Sequence, residues 1–108
     1  KTTADVDRAV REAGGRMVML DFHADWCVSC MKLERETFSD SAVRTALADT
    51  VTLQVDVTAN DATDQALLQH FGVIGPPAIL FFGPDSKERR ERRVVGFMAA
   101  EQFKLHVQ

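Results

Sequence analysis

The sequence predicts an α/β domain built on one mixed β-sheet with helices on both faces. Three observations carry that reading. Helix-periodic and strand-like segments alternate along the chain. The apolar run Met17 to Phe22, broken only by Asp21, reads as a strand buried on both faces, and the pair Cys27 and Cys30 follows it closely. Toward the C-terminus, Ala78 to Phe82 and Arg93 to Phe97 read as two strands around a polar turn starting at Gly83-Pro84-Asp85.

Val6, Ala9, Val10 and Ala13 recur at helical spacing after Thr2-Thr3, and Gly14-Gly15 stops that helix. A second helix is expected from Cys27 to Thr37. Ser39 or Asp40 then caps a short helix carrying Val43, Ala46 and Leu47. Val51, Leu53, Val55 and Val57 alternate with Thr52, Gln54 and Asp56, the pattern of a strand. Asn60 or Asp61 opens a helix carrying Ala66, Leu67, Leu68 and Phe71, which Gly72 closes. A last helix carries Ala100, Phe103 and Val107. Phe71, Phe81, Phe82, Phe97 and Phe103 read as core, and the charge run Lys87 to Arg93 as solvated. No repeat or internal linker interrupts the pattern, so residues 1–108 read as a single domain.

A chain of 108 residues can bury roughly two-thirds of its unfolded surface, enough for one core. A net charge of −3 argues against a phosphate-binding face, so nucleic acid is not an expected partner. No stretch approaches the ~20 apolar residues of a membrane span. The chain opens at Lys1 without a methionine and so reads as an excised domain or a processed product.

Cys27-Val28-Ser29-Cys30 holds the only cysteines. On the first turn of a helix, this spacing puts both sulfurs on one face, where a disulfide forms or breaks with little backbone movement. The helix N-terminus favours a thiolate at the first cysteine. So local a bridge restricts the unfolded chain little, and its value would be chemical. A half zinc site and two inert core thiols are the competing readings. Zinc normally takes four ligands, and the sequence offers neither a second Cys-x-x-Cys nor a paired histidine motif. Val28-Ser29 places no charge and no histidine between the sulfurs, which leans toward a reducing pair. Cys27 is expected to be the exposed thiol that attacks, and Cys30 the buried thiol that resolves the mixed disulfide; the exchange needs no cofactor.

Asp21 interrupts a buried strand, so its carboxyl is expected to titrate high. Glu34 lies one turn beyond Cys30 on the same helical face and is a candidate for the same site. His23, four before Cys27, reads as a packed or partly exposed histidine. His70 and His106 read as surface residues.

Trp26-Cys27-x-x-Cys30, the acid six residues before the first cysteine, and Pro77 ahead of a strand together resemble the thioredoxin superfamily over essentially the whole chain. Met19-Leu20-Asp21-Phe22-His23-Ala24-Asp25-Trp26 running into the cysteines, Thr37-Phe38-Ser39-Asp40, Val57-Thr58-Ala59-Asn60-Asp61, Ile79-Leu80-Phe81-Phe82 and Gly96-Phe97-Met98 narrow the likeness. They resemble the C-terminal domains of the DsbD family of bacterial inner-membrane thiol:disulfide interchange proteins.

The resemblance implies a thioredoxin fold, with Asp21 beneath the disulfide to take a proton from Cys30, and Pro77 as a cis-proline facing the cysteines. It implies a partner-docking surface of Trp26, Val28, Ser29, Pro76 and Pro77. A lysine often faces the buried acid in thioredoxins, and the matching position reads as Thr52. Pro76 has no N–H to offer a docked partner, which is a second departure. The resemblance further implies a monomeric periplasmic domain of an inner-membrane protein. It would take electrons from a transmembrane domain fed by cytoplasmic thioredoxin and reduce an N-terminal periplasmic domain, upstream of disulfide isomerases and cytochrome c maturation. A free-standing reductase and a non-catalytic binding module of the same fold are the alternatives.

Overall fold

The computed structural model describes residues 2–107. Helix α1 (Thr3–Arg11) starts at Thr2, whose hydroxyl accepts from the Asp5 N–H while the Asp5 carboxylate accepts from the Thr2 N–H. This reciprocal cap satisfies two N–H groups at the helix start. Gly14 and Gly15, both at positive φ, lead the chain toward β1 (Val18–His23), which is buried along its whole length. β2 (Val51–Asp56) runs parallel to β1 on one side, and β3 (Ala78–Phe82) antiparallel on the other. β4 (Val94–Val95) pairs antiparallel with β3, completing the order β2-β1-β3-β4.

Alternation along the central strands sends side chains into two cores. Leu20, Phe22, Leu80 and Phe82 pack with Val6 and Val10 of α1 and with Leu67 and Phe71 of α4 (Ala62–Phe71). On the opposite face, Met19, Ile79 and Phe81 pack with Leu33, with Val43 of α3 (Ser41–Ala46) and with Phe103 of α5 (Ala100–Val107). Asp40 caps α3, Asp61 caps α4, and Gly72 ends α4 in the left-handed conformation. The α/β architecture is that of a thioredoxin fold, with a mixed sheet covered on both faces.

Three local features differ from the expectations. The cysteine helix α2 (Val28–Lys32) begins one residue late, with Cys27 as its N-cap, and runs into a π-helical turn over Leu33–Phe38. Leu33 and Thr37 are both buried on that turn, and the Thr37 hydroxyl donates to the Met98 carbonyl at 2.6 Å, tying it to the approach to α5.

The strand expected over Arg93–Phe97 contracts to Val94–Val95, because Arg90–Arg92 form a 3-10 turn before it and Gly96 turns at φ 89° behind it. Phe97 is consequently half-buried, with the Lys32 ammonium 4.3 Å above its ring.

The charge run is not simply solvated either. Arg93 and Glu88 form a two-pronged ion pair whose side chains are only 16% and 15% exposed. The Arg93 guanidinium also donates to the Phe71 carbonyl at 2.6 Å and the Gly72 carbonyl at 3.3 Å. It thereby ties β4 to the end of α4.

Candidate active site

The approach to the cysteines comes from the end of β1. Cys27 has an extended backbone, and its sulfur accepts from the Cys30 N–H at 3.1 Å. The two residues are joined by a disulfide, with Cα atoms 5.2 Å apart. Cys27, expected to be exposed, is only 7% exposed, against 3% for Cys30. The turn that makes it the N-cap directs it into one packed cluster with Phe22 and Ala24. The Cys30 sulfur lies 4.0 Å from the Phe22 carbonyl. Phe22 pairs across the sheet with Ala78, which packs in the same cluster as both cysteines.

Strand pairing therefore carries the residues before β3 to the cysteine end of the sheet. The Pro76–Pro77 peptide bond is cis, with Pro77 buried and Pro76 half-buried. The Pro77 carbonyl accepts from the Gly96 N–H at 3.2 Å.

An apolar rim flanks this end. Trp26 is 57% exposed and is held by its indole N–H, which donates to the Thr58 carbonyl at 2.9 Å. Val28 is exposed and Ser29 half-buried. Ile74 and Val95, which sequence reasoning did not single out, are also exposed and together border a hollow of about 140 Å³. The available signal for Ile74 was its place between Gly72 and Gly75-Pro76-Pro77, a turn where solvation requires no large apolar side chain.

The two candidate acids meet at Gln54. Asp21 is 6% exposed and points to the face of β1 opposite Phe22. Its partner on β2 is Gln54, whose amide donates to Asp21 at 3.4 Å and to Glu34 at 3.1 Å. The residue facing the acid is thus Gln54, not Thr52, which pairs with Met19. A strand period of two keeps both on one face, so pattern alone cannot say which of them meets the acid.

Burial pushes the Asp21 carboxyl up, and the Glu34 charge adds to that; the Gln54 hydrogen bond and the charge of His23 oppose it. A groove of about 470 Å³, lined by Asp21, Gln54, Thr52 and Phe38 among others, reaches this acid. Glu34 is half-exposed on the π-helical turn. His23 is buried beside it, with Nδ1 3.7 Å from Glu34 and Nε2 3.3 Å from Asp25.

His70 meets Asp7 at 3.6 Å, and His106 meets the Arg92 carbonyl at 2.7 Å; both contacts lie on other elements. Among the described residues, neither cysteine belongs to a close group of three or more His, Cys, Asp or Glu ligand atoms.

A thioredoxin-like family model matches residues 1–84. The C-terminal domain of Neisseria meningitidis DsbD, solved in the oxidised form, superposes with a TM-score of 0.78 at 35% identity, covering 94% of this chain and 86% of that one. The chain belongs to the thioredoxin-like family, among the C-terminal domains of DsbD. The thiol:disulfide interchange protein DsbD of Escherichia coli (strain K12) is 54% identical over 99% of this chain, which spans only 19% of that relative. A thioredoxin from Thermus thermophilus, 27% identical, superposes at a TM-score of 0.77, covering 98% of this chain and 82% of that one. Membership makes the Cys27–Cys30 pair a redox-active disulfide of the thioredoxin type and the domain a protein-disulfide oxidoreductase. The chemistry resides in the two sulfurs themselves.

Proposed function

We propose that this domain is the periplasmic two-electron carrier of a longer inner-membrane protein. It accepts electrons from a transmembrane partner domain and reduces the disulfide of a second periplasmic domain, acting as a monomer. The observation that carries this reading is the Cys27–Cys30 disulfide in a chain 54% identical to DsbD along nearly its whole length.

In the reduced domain, the Cys27 thiolate attacks one sulfur of the partner's disulfide. A mixed disulfide forms, and the partner's other sulfur leaves as a thiolate. Cys30 then attacks the Cys27 sulfur. The partner departs as a dithiol, and the Cys27–Cys30 disulfide keeps the oxidising equivalent. In this reading Asp21, whose carboxyl burial pushes up, takes the Cys30 proton, and the groove beside it gives that proton a way to solvent.

Trp26, Val28, Ser29, Pro76 and Pro77 form the docking face, extended by Ile74 and Val95. Pro76 presents only a carbonyl to a docked backbone. In this reading the Asp21 and Glu34 carboxylates, joined through the uncharged Gln54, disfavour the Cys27 thiolate until a partner covers the rim.

Stopped-flow reduction of the periplasmic partner domain and of glutathione disulfide tests the reading. The partner is expected to react far faster. Comparable rates would make reactivity a property of the motif alone and remove the carrier role.

A further inference from the structure

We propose that His23 is a positioning residue of the exchange site: its imidazole, wedged between Asp25 and Glu34, holds the Glu34 carboxylate on Gln54 and links the exposed rim to the buried Asp21. The proposal rests on the reading of Cys27–Cys30 as an exchange centre with Asp21 as its proton acceptor.

His23 ends β1, and its side chain is only 7% exposed. Its two ring nitrogens face different carboxylates, Nε2 toward Asp25 at 3.3 Å and Nδ1 toward Glu34 at 3.7 Å. A neutral imidazole carries one N–H and can donate to only one of them; the imidazolium can donate to both. The grip on Glu34 is therefore sensitive to protonation.

The same Glu34 oxygen that faces His23 also accepts from the Gln54 amide, which reaches Asp21 in turn. A continuous path of polar contacts thus runs Asp25–His23–Glu34–Gln54–Asp21. One end is an aspartate whose side chain is 74% exposed, and the other is the buried Asp21.

The groups facing His23 are all acids. Asp25 comes from the turn after β1, Glu34 from the π-helical turn, and Asp56, its register partner, from β2; Asp21 lies two residues back on its own strand. Charge on His23 stabilises the ionised form of Asp21. Without His23, the half-exposed Glu34 is free to turn to solvent. Gln54 then loses one of its two anchors, and Asp21 loses a favourable charge. A packing residue at this position would leave the titration of Asp21 untouched, whereas a positioning residue would not.

Carboxyl NMR titrations of Asp21 in the oxidised domain test this in the wild type, His23→Gln, Glu34→Gln and the double variant. His23→Gln is expected to raise the proton affinity of Asp21 by about twofold or more, as removal of a nearby positive charge requires. The same change in the Glu34→Gln background is expected to give clearly more, because release of Glu34, whose charge pushes the Asp21 carboxyl up, then no longer offsets the lost His23 charge. Equal shifts in both backgrounds, or no shift in either, overturn the proposal.

Should His23→Gln not fold, the His23 imidazole titration in wild type and Glu34→Gln decides the matter alone. Its midpoint is expected to fall when Glu34 is neutralised, and an unchanged midpoint overturns the proposal. Titrating the wild-type cysteines against glutathione in parallel separates the two readings. Absence of a reversible couple removes the exchange centre whatever His23 does.

Discussion

Arg93→Met removes the cation that joins three separate pieces of the fold. Its guanidinium meets Glu88 at two points and the Phe71 and Gly72 carbonyls at the end of α4, and the pair is about one-sixth exposed. Breaking a buried pair by deleting one partner costs about 3–5 kcal/mol, because the remaining charge stays buried without compensation. Residual exposure of both side chains argues for the lower end, about 3 kcal/mol. At about 4 °C per kcal/mol for a domain of this size, the melting midpoint should fall by roughly 12 °C. Urea unfolding of the oxidised domain measures the loss directly. Glu88→Met combined with Arg93→Met should recover most of it, since no unpaired charge is then left. The residues released lie just before Val73 to Pro77, so exchange with a folded partner should slow more than exchange with glutathione disulfide. A loss below about 1 kcal/mol, or a double variant as unstable as the summed singles, would refute the buried-pair argument.

Cys30→Ser should trap a partner as a mixed disulfide through Cys27, whereas Cys27→Ser should trap little; non-reducing gels read the difference, and adducts forming mainly through Cys30 would reverse the roles. Asp21→Asn and Glu34→Gln should each lower the Cys27 pKa, because each removes negative charge near the developing thiolate, and pH-dependent alkylation of the reduced domain checks this. Asp21 also predicts a pH dependence of stability. Its native carboxyl lies above the ordinary value of 3.8, so the native state holds this proton more tightly than the unfolded chain. The contribution of the group to stability is greatest in acid and falls as pH rises through the native value. Asp21→Asn should therefore raise the urea midpoint at pH 7 and gain little below the ordinary carboxyl range; a lower midpoint at pH 7 would contradict the burial argument. Thr2→Ala should cost about 1 kcal/mol by removing one half of the α1 cap.

What the sequence determined by itself is what local chemistry encodes. Asp40 and Asp61 cap their helices with side chains within three residues of the N–H groups they satisfy, and Gly72 ends α4 because glycine takes positive φ without cost. The apolar run around Asp21 announced a central strand, and the spacing of Cys27 and Cys30 announced a dithiol pair at a helix start. The tertiary structure alone decided the contacts that cross the chain. Alternation along β2 says which residues share the face of Asp21, but only the pairing of β1 with β2 selects Gln54 over Thr52. Composition shows a charge run at Lys87 to Arg93, while the meeting of Arg93 with the end of α4 depends on where β4 docks. His23 looked like a packed histidine because its partner Glu34 lies eleven residues away on a π-helical turn that no periodicity announces. Caps and periods are written in neighbouring residues, whereas register, burial of Cys27 and the path from Asp25 to Asp21 exist only once separate segments have packed.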